Sequence, residues 1–129
     1  MKLKLYVFLI AIMAACLSFY INNEQDTKIK TELYFGLSGP EGPVTDRQWE
    51  TFRKEKLERI LDGFTEIRGQ GFWKGTEGKS YNEDSMIIIY IHEESASENR
   101  KIDSVIQLYK TEFKQESVLK TQQEIKAHF

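Results

Sequence analysis

Cysteine, histidine and proline are scarce in this chain of 129 residues, with one, two and two of each. A single cysteine excludes an intramolecular disulfide framework and any metal site built from several thiolates. With 40% hydrophobic and 29% charged residues, the composition is that of a folded chain, which excludes wholesale disorder and collagen-like repeats. Basic charge is not in excess. Lysine and arginine total 18 against 20 acids, a formal net charge of -2, so the electrostatic footprint of a nucleic-acid binder is missing. The length is that of one domain.

Long hydrophobic runs are also lacking, with one exception at the N-terminus. Lys2 and Lys4 lead into an unbroken apolar run over residues 5–15, with no acid among them. A basic segment followed by a short apolar one is the pattern of an export signal. As a helix this run spans only about 16 Å, against roughly 30 Å of hydrocarbon in a bilayer. It ends in Met13-Ala14-Ala15-Cys16, small residues before the only cysteine. That is similar to the bacterial lipoprotein signal, in which the cysteine is diacylated and becomes the new N-terminus. We therefore expect a signal over residues 1–15, lipidation at Cys16, a tether over 16–28 and a membrane-anchored domain in the cell envelope. In a Gram-negative host that domain would face the periplasm or sit at the outer membrane. Two alternatives stay open. Apolar character resumes through Ile21, and residues 5–21 reach the lower limit of an uncleaved membrane anchor; plain secretion is the other. All three place the domain outside the cytoplasm, and none calls for a cofactor.

Beyond the tether, apolar residues alternate over 29–37, with Ile29, Thr31, Leu33, Phe35 and Leu37 on one side and Lys30, Glu32, Tyr34 and Gly36 on the other, a half-buried strand. S-G-P-E-G-P at 38–43 is a loop. Thr45 and Gln48 form a capping box, opening a helix whose apolar face is Trp49, Phe52, Leu57, Ile60 and Leu61 and which ends at Asp62-Gly63. Residues 64–73 predict a second strand, with Gly69 and Gly71 marking a bulge or twist. Residues 75–84 predict a polar hairpin connection. M-I-I-I-Y-I at 86–91 is apolar on both faces, the mark of an interior strand. Ser95 and Glu98 predict a second capping box, and Ile102, Val105, Ile106, Tyr109 and Phe113 the stripe of a second helix. Residues 117–125 predict the last strand, with Val118 and Leu119 its most buried part.

The order β-α-β-β-α-β predicts an α+β fold of the ferredoxin-like type over residues 29–126, a four-stranded antiparallel sheet in the order 4-1-3-2 with both helices on one face. One sheet face is then open. The all-isoleucine set Ile87, Ile89 and Ile91 suits the helices, which assigns Met86, Ile88, Tyr90 and His92, with Tyr34, to the open face. Such an apolar-aromatic patch does not face water bare, so a second copy, a partner, a ligand or the hairpin covers it.

T-E-L-Y-F-G-L at 31–37, G-Q-G-F-W at 69–73 and F-K-Q-E-S-V-L at 113–119 together resemble a bacterial family catalogued as domain of unknown function 3574, whose members often carry export signals. The resemblance covers residues 31–119 and implies no catalytic residues, because the family has no established activity.

The residues offer little chemistry. His92, before Glu93 and Glu94, is the one weak candidate for a general base, and it lacks an evident partner. H-E-E-S has no second histidine one turn on and is not a zinc motif. Gly69-x-Gly71 lies in a strand and is not a dinucleotide loop. Ser117 has no nucleophile elbow around it. Trp73 either packs over the open face or caps a pocket. The first functional reading is a membrane-tethered envelope lipoprotein, anchored at Cys16, that binds itself or a partner through Tyr34, Trp73, Ile88 and Tyr90 on the open face. The alternative is a cofactor-free enzyme of the dimeric α+β barrel type, acting on a small organic substrate with His92 as base. That alternative is an analogy at the level of fold.

Overall fold

A computed structural model describes residues 2–25 and 27–128, with side chains described over 6–18 and 27–128. Helix α1 is Lys2–Gln25 and runs through Cys16 without a break. Its described apolar residues, Tyr6, Phe8, Ile10, Met13 and Leu17 among them, are exposed. The side chains of Lys2 and Lys4 and of Phe19, Tyr20 and Ile21, used in the reading of the signal, lie outside the described ones. Among the described residues no helix is long and apolar enough to cross a membrane.

The four-stranded sheet is β1 (Thr27–Gly36), β4 (Thr65–Lys74), β5 (Ser80–His92) and β6 (Leu119–Lys126), ordered β4-β5-β1-β6 with every pairing antiparallel. A two-residue ladder, β2 (Ser38–Gly39) with β3 (Gly42–Pro43), folds the loop after β1 back on itself. Helix α2 starts at Asp46–Phe52, passes through a π turn at Arg53–Leu57 and closes with Glu58–Ile60. Helix α3 is Ala96–Glu112. This is the ferredoxin-like architecture, with β1 and β5 central as the sequence predicts.

Local chemistry explains α2 and α3. Thr45 caps α2 with both halves of its box formed: its Oγ1 accepts from the Gln48 amide at 3.3 Å, and Gln48 Oε1 accepts from the Thr45 amide at 2.9 Å. Phe52 and Leu57 are five residues apart, one more than an α-turn brings to the same face. The π turn absorbs that extra residue, so Leu57 rather than Lys56 enters the core. Ser95 caps α3 by accepting from the Glu98 amide at 3.1 Å. The predicted second half of that box does not form, because the Glu98 carboxylate is turned to Tyr90 and Lys101.

The core is one cluster between the helices and one sheet face. Phe35, Trp49, Phe52 and Tyr109 form its aromatic centre, with Phe35 and Tyr109 edge to face at 4.7 Å. Tyr109 is fully buried, and its hydroxyl donates to the Gly36 carbonyl at 2.7 Å, which satisfies both groups.

Three local expectations are corrected. Residues 80–84 are strand rather than connection, so β5 is much longer than its apolar segment and the hairpin turn lies between Lys74 and Ser80. Cross-strand pairing, not side-chain polarity, holds that extension. Gly69 and Gly71 make no bulge, since they pair one to one with Ser85 and Glu83 in an unbroken register. Leu119 is exposed, and only Val118 packs against the core.

Candidate functional site

On β5 the open side is not the one the sequence assigns, whereas β1 keeps its predicted sides. Leu33, Phe35 and Leu37 of β1 turn to the helices. In an antiparallel pair, directly opposite residues share a face. Leu33 lies opposite Ile88, Phe35 opposite Met86, Thr31 opposite Tyr90 and Ile29 opposite His92. The parity of β1 therefore draws Met86, Ile88, Tyr90 and His92 into the helix side, where they are buried, and turns Ile87, Ile89 and Ile91 to the open side. Ile88 and Tyr90 are thus core residues, and they do not share a face with Tyr34 and Trp73.

The polar ends of Tyr90 and His92 explain how they tolerate that position. Tyr90 donates its hydroxyl to Glu98, whose other oxygen accepts from Lys101 at 2.8 Å; Lys101 also reaches Asp62 at 2.7 Å. Burial, then the bond to Glu98, pushes the Tyr90 hydroxyl up to about 12. The His92 ring stacks on Tyr90 at 4.9 Å. Its Nδ1 lies 2.7 Å from the Glu93 carbonyl, which only accepts, so Nδ1 carries the proton. Nε2 then accepts from Thr31 Oγ1 at 2.8 Å, and Thr31 accepts in turn from Gln122 at 3.0 Å. Both ring nitrogens are engaged within the fold.

Tyr34 and Trp73, two of the residues singled out in the sequence, do meet on the open face. One row of side chains crosses all four strands there: Ile67, Ile87, Tyr34 and Leu119 are successive register partners. Ile89 and Ile91 extend this apolar row toward one end of the sheet, beside Glu32 and Lys30. Ile67, Ile91 and Leu119 stand exposed in it. Tyr34 donates to Glu32 at 2.8 Å, and Lys30 holds the same carboxylate at 3.0 Å. Lys30 first, then Tyr34, keeps Glu32 below the usual carboxylate range.

Toward the other end the side chains vanish. Gly36, Ser85 and Gly69 form one row and Gly71 and Glu83 the next, and Trp73 with Tyr81 closes the face. Trp73 stacks flat on Tyr81, 4.2 Å between centroids and 14° between planes. Over the glycines lies a groove of about 700 Å³, bounded by Trp73, Tyr34, Leu119 and the 114–117 turn. A Cβ on Gly36 would lie 2.4 Å from Glu83 Oε1, so the missing side chain is what seats the Glu83 carboxylate over the sheet. The sequence reading missed Glu83 and Tyr81. Of the Gly69-x-Gly71 pair only Gly71 lines the floor, since Ile87 lies over Gly69; the other glycine of the floor is Gly36.

Among the described residues no three histidine, cysteine or acidic side chains gather as a metal site. A family model described as "Protein of unknown function (DUF3574)" matches residues 30–129. The chain belongs to this family. No curated protein matches the chain. Among solved structures, the DUF3574 domain is similar to a phage SAM lyase in complex with S-methyl-5'-thioadenosine, at 23% identity and a TM-score of 0.55 over 78% of this chain and 90% of that one. It is similar also to a phage SAM lyase in the apo state, at 23% identity and a TM-score of 0.56 over 81% and 93%. At that identity the likeness shows a shared fold.

Proposed function

We propose that this DUF3574 protein is an envelope lipoprotein, tethered at Cys16, whose open sheet face binds a second copy of itself. The observation that carries the reading is the exposed apolar row Ile67–Ile87–Tyr34–Leu119 with Ile89 and Ile91 beside it. Four strands at about 4.8 Å and four rows at about 6.8 Å make a face of roughly 19 by 27 Å, about 500 Å² in projection. Side chains standing out of the plane bring its accessible area toward the roughly 800 Å² per partner of an ordinary interface. The exposed apolar side chains of α1 suit a segment processed at, or held by, a membrane.

Sedimentation of the full-length protein in detergent should give twice the protomer mass, and Ile67→Lys or Leu119→Lys should reduce it to one. A wild-type monomer across the micromolar range would end this reading. Labelled palmitate should enter the wild-type chain in a bacterial host and should not enter Cys16→Ala; equal labelling would remove the tether.

A second reading, a cofactor-free enzyme, draws support from the groove on the same face and from the two phage SAM lyases that share the fold. His92 would not serve it as base, being on the opposite face with both nitrogens engaged; Glu83 is the carboxylate that lines the groove. The test is incubation with SAM and chromatography for S-methyl-5'-thioadenosine. No product above a Glu83→Gln control excludes that substrate.

A further inference from the structure

We infer that the glycine-floored groove is a binding site for a small organic cation, a quaternary ammonium or sulfonium compound. The first ground is charge. Among the described residues Glu83 makes no hydrogen bond and no ion pair, although it is half-buried and lines the groove. Lys114, the cation on the wall, is bound to Glu41, and Glu116 adds a second carboxylate at the rim. A carboxylate held at a groove floor without a partner takes a positive ligand at less cost than it takes burial.

The second ground is the wall. Trp73 bounds one end and the Tyr34 ring the other. The faces of such rings attract cations, and those of Trp most of all. Tyr81, stacked behind Trp73, braces the indole, and Lys79 already lies 5.4 Å from the Tyr81 ring centroid on this same aromatic pair. Strongly hydrated ions such as ammonium gain little from apolar walls. Methylated onium groups shed water readily and fill them, which selects the class.

The third ground is space. Gly71 leaves open room above the sheet for a ligand, and the space a side chain on Gly36 would take holds the Glu83 carboxylate at the groove floor. The groove belongs to one chain. The inference deepens the enzyme reading by naming its ligand class, but it does not depend on turnover or on a second copy.

The probes are choline, trimethylsulfonium and 3,3-dimethylbutan-1-ol, the uncharged carbon isostere of choline, titrated into full-length protein in detergent. Heat and indole fluorescence are the readouts. Both cations should bind saturably, with the isostere at least tenfold weaker. Glu83→Gln should lose about tenfold in affinity for choline while leaving the isostere unchanged, and Trp73→Ala should weaken both cations. Gly36→Ala should weaken them too, by displacing the carboxylate. Far-UV circular dichroism of each variant confirms the fold, and Trp49 in the core reports it independently. Equal affinity for choline and its isostere, or unchanged choline binding in folded Glu83→Gln, would overturn the inference. Failure of dimerisation or of SAM turnover, with these titrations intact, would leave it standing.

Discussion

Ile88 and Ile91 lie in one strand, three residues apart on opposite faces, and their truncation tests the parity on which the whole site rests. Ile88 is 0% exposed inside the core cluster, and Ile91 is 37% exposed on the open face. Ile→Ala removes three carbons. At about 0.8 kcal/mol per buried methylene, Ile88→Ala forfeits about 2.4 kcal/mol of transfer energy. If roughly 60 Å³ stays empty, the cavity adds about 1.5 kcal/mol at about 24 cal/mol per Å³. The total is about 2–4 kcal/mol, the lower figure applying if the helices close in. Ile91→Ala starts from a partly hydrated side chain and leaves no enclosed void, so it should cost about 1–1.5 kcal/mol. The change in strand propensity is the same at both sites and cancels in the comparison. Urea unfolding of the full-length protein, at a concentration where it is monomeric, gives both values if the slopes agree with wild type. An Ile91→Ala cost equal to or above that of Ile88→Ala would refute the parity, and with it the placing of Glu83 and the glycines on the open face.

Tyr109→Phe should cost about 1–2 kcal/mol, read as a fall in thermal midpoint, because it leaves the Gly36 carbonyl without its donor; an unchanged midpoint would show that water replaces the hydroxyl. Lys101 first, then Tyr90, holds Glu98 below its ordinary value. A carboxyl depressed in the folded state contributes stability above its unfolded pKa, about 4.3, and loses it as pH falls through the folded value. Glu98→Gln should therefore flatten stability against pH below about 4.5, and an acid limb as steep as wild type would contradict this. Tyr90 is raised instead, to about 12, so its contribution is complete below pH 10 and is lost as pH rises from 10 towards 12. Tyr90→Phe should reduce that alkaline loss, with Tyr109, raised by its own burial, still contributing to what remains, and a loss as large as in wild type would place the titration elsewhere.

The architecture was legible because its signals are local. The alternation of residues 29–37, the Thr45–Gln48 box and the stripe through Ile102, Val105 and Tyr109 each need only a few neighbouring residues, and the order of the elements leaves one simple right-handed fold. The π turn at Arg53–Leu57 is not among those signals, because the stripe from Trp49 to Leu61 reads as an ordinary helix until its packing is seen. The site was much less legible. The alternation of β1 assigns Tyr34 to the open face, where it stands, while the sequence leaves Trp73 between two placements that only the pairing of β4 with β5 resolves. Glu83 was hidden in a polar segment that looks like a turn and becomes strand only because β4 pairs along its whole length.

What the sequence determined by itself was periodicity, capping and element order, which are energies of neighbouring residues. Which face of β5 is core was decided by tertiary structure alone. Residues 86–91 are apolar on both sides, so hydrophobic alternation has nothing to choose between, and Ile87, Ile89 and Ile91 look the better core. The choice falls to the cross-strand register. β1 has one apolar side, and opposite residues in an antiparallel pair must share a face, so Leu33 and Phe35 commit Ile88 and Met86. The same constraint buries Tyr90 and His92, whose polar ends are met by Glu98, Thr31 and the Glu93 carbonyl, groups close to them only in the folded chain.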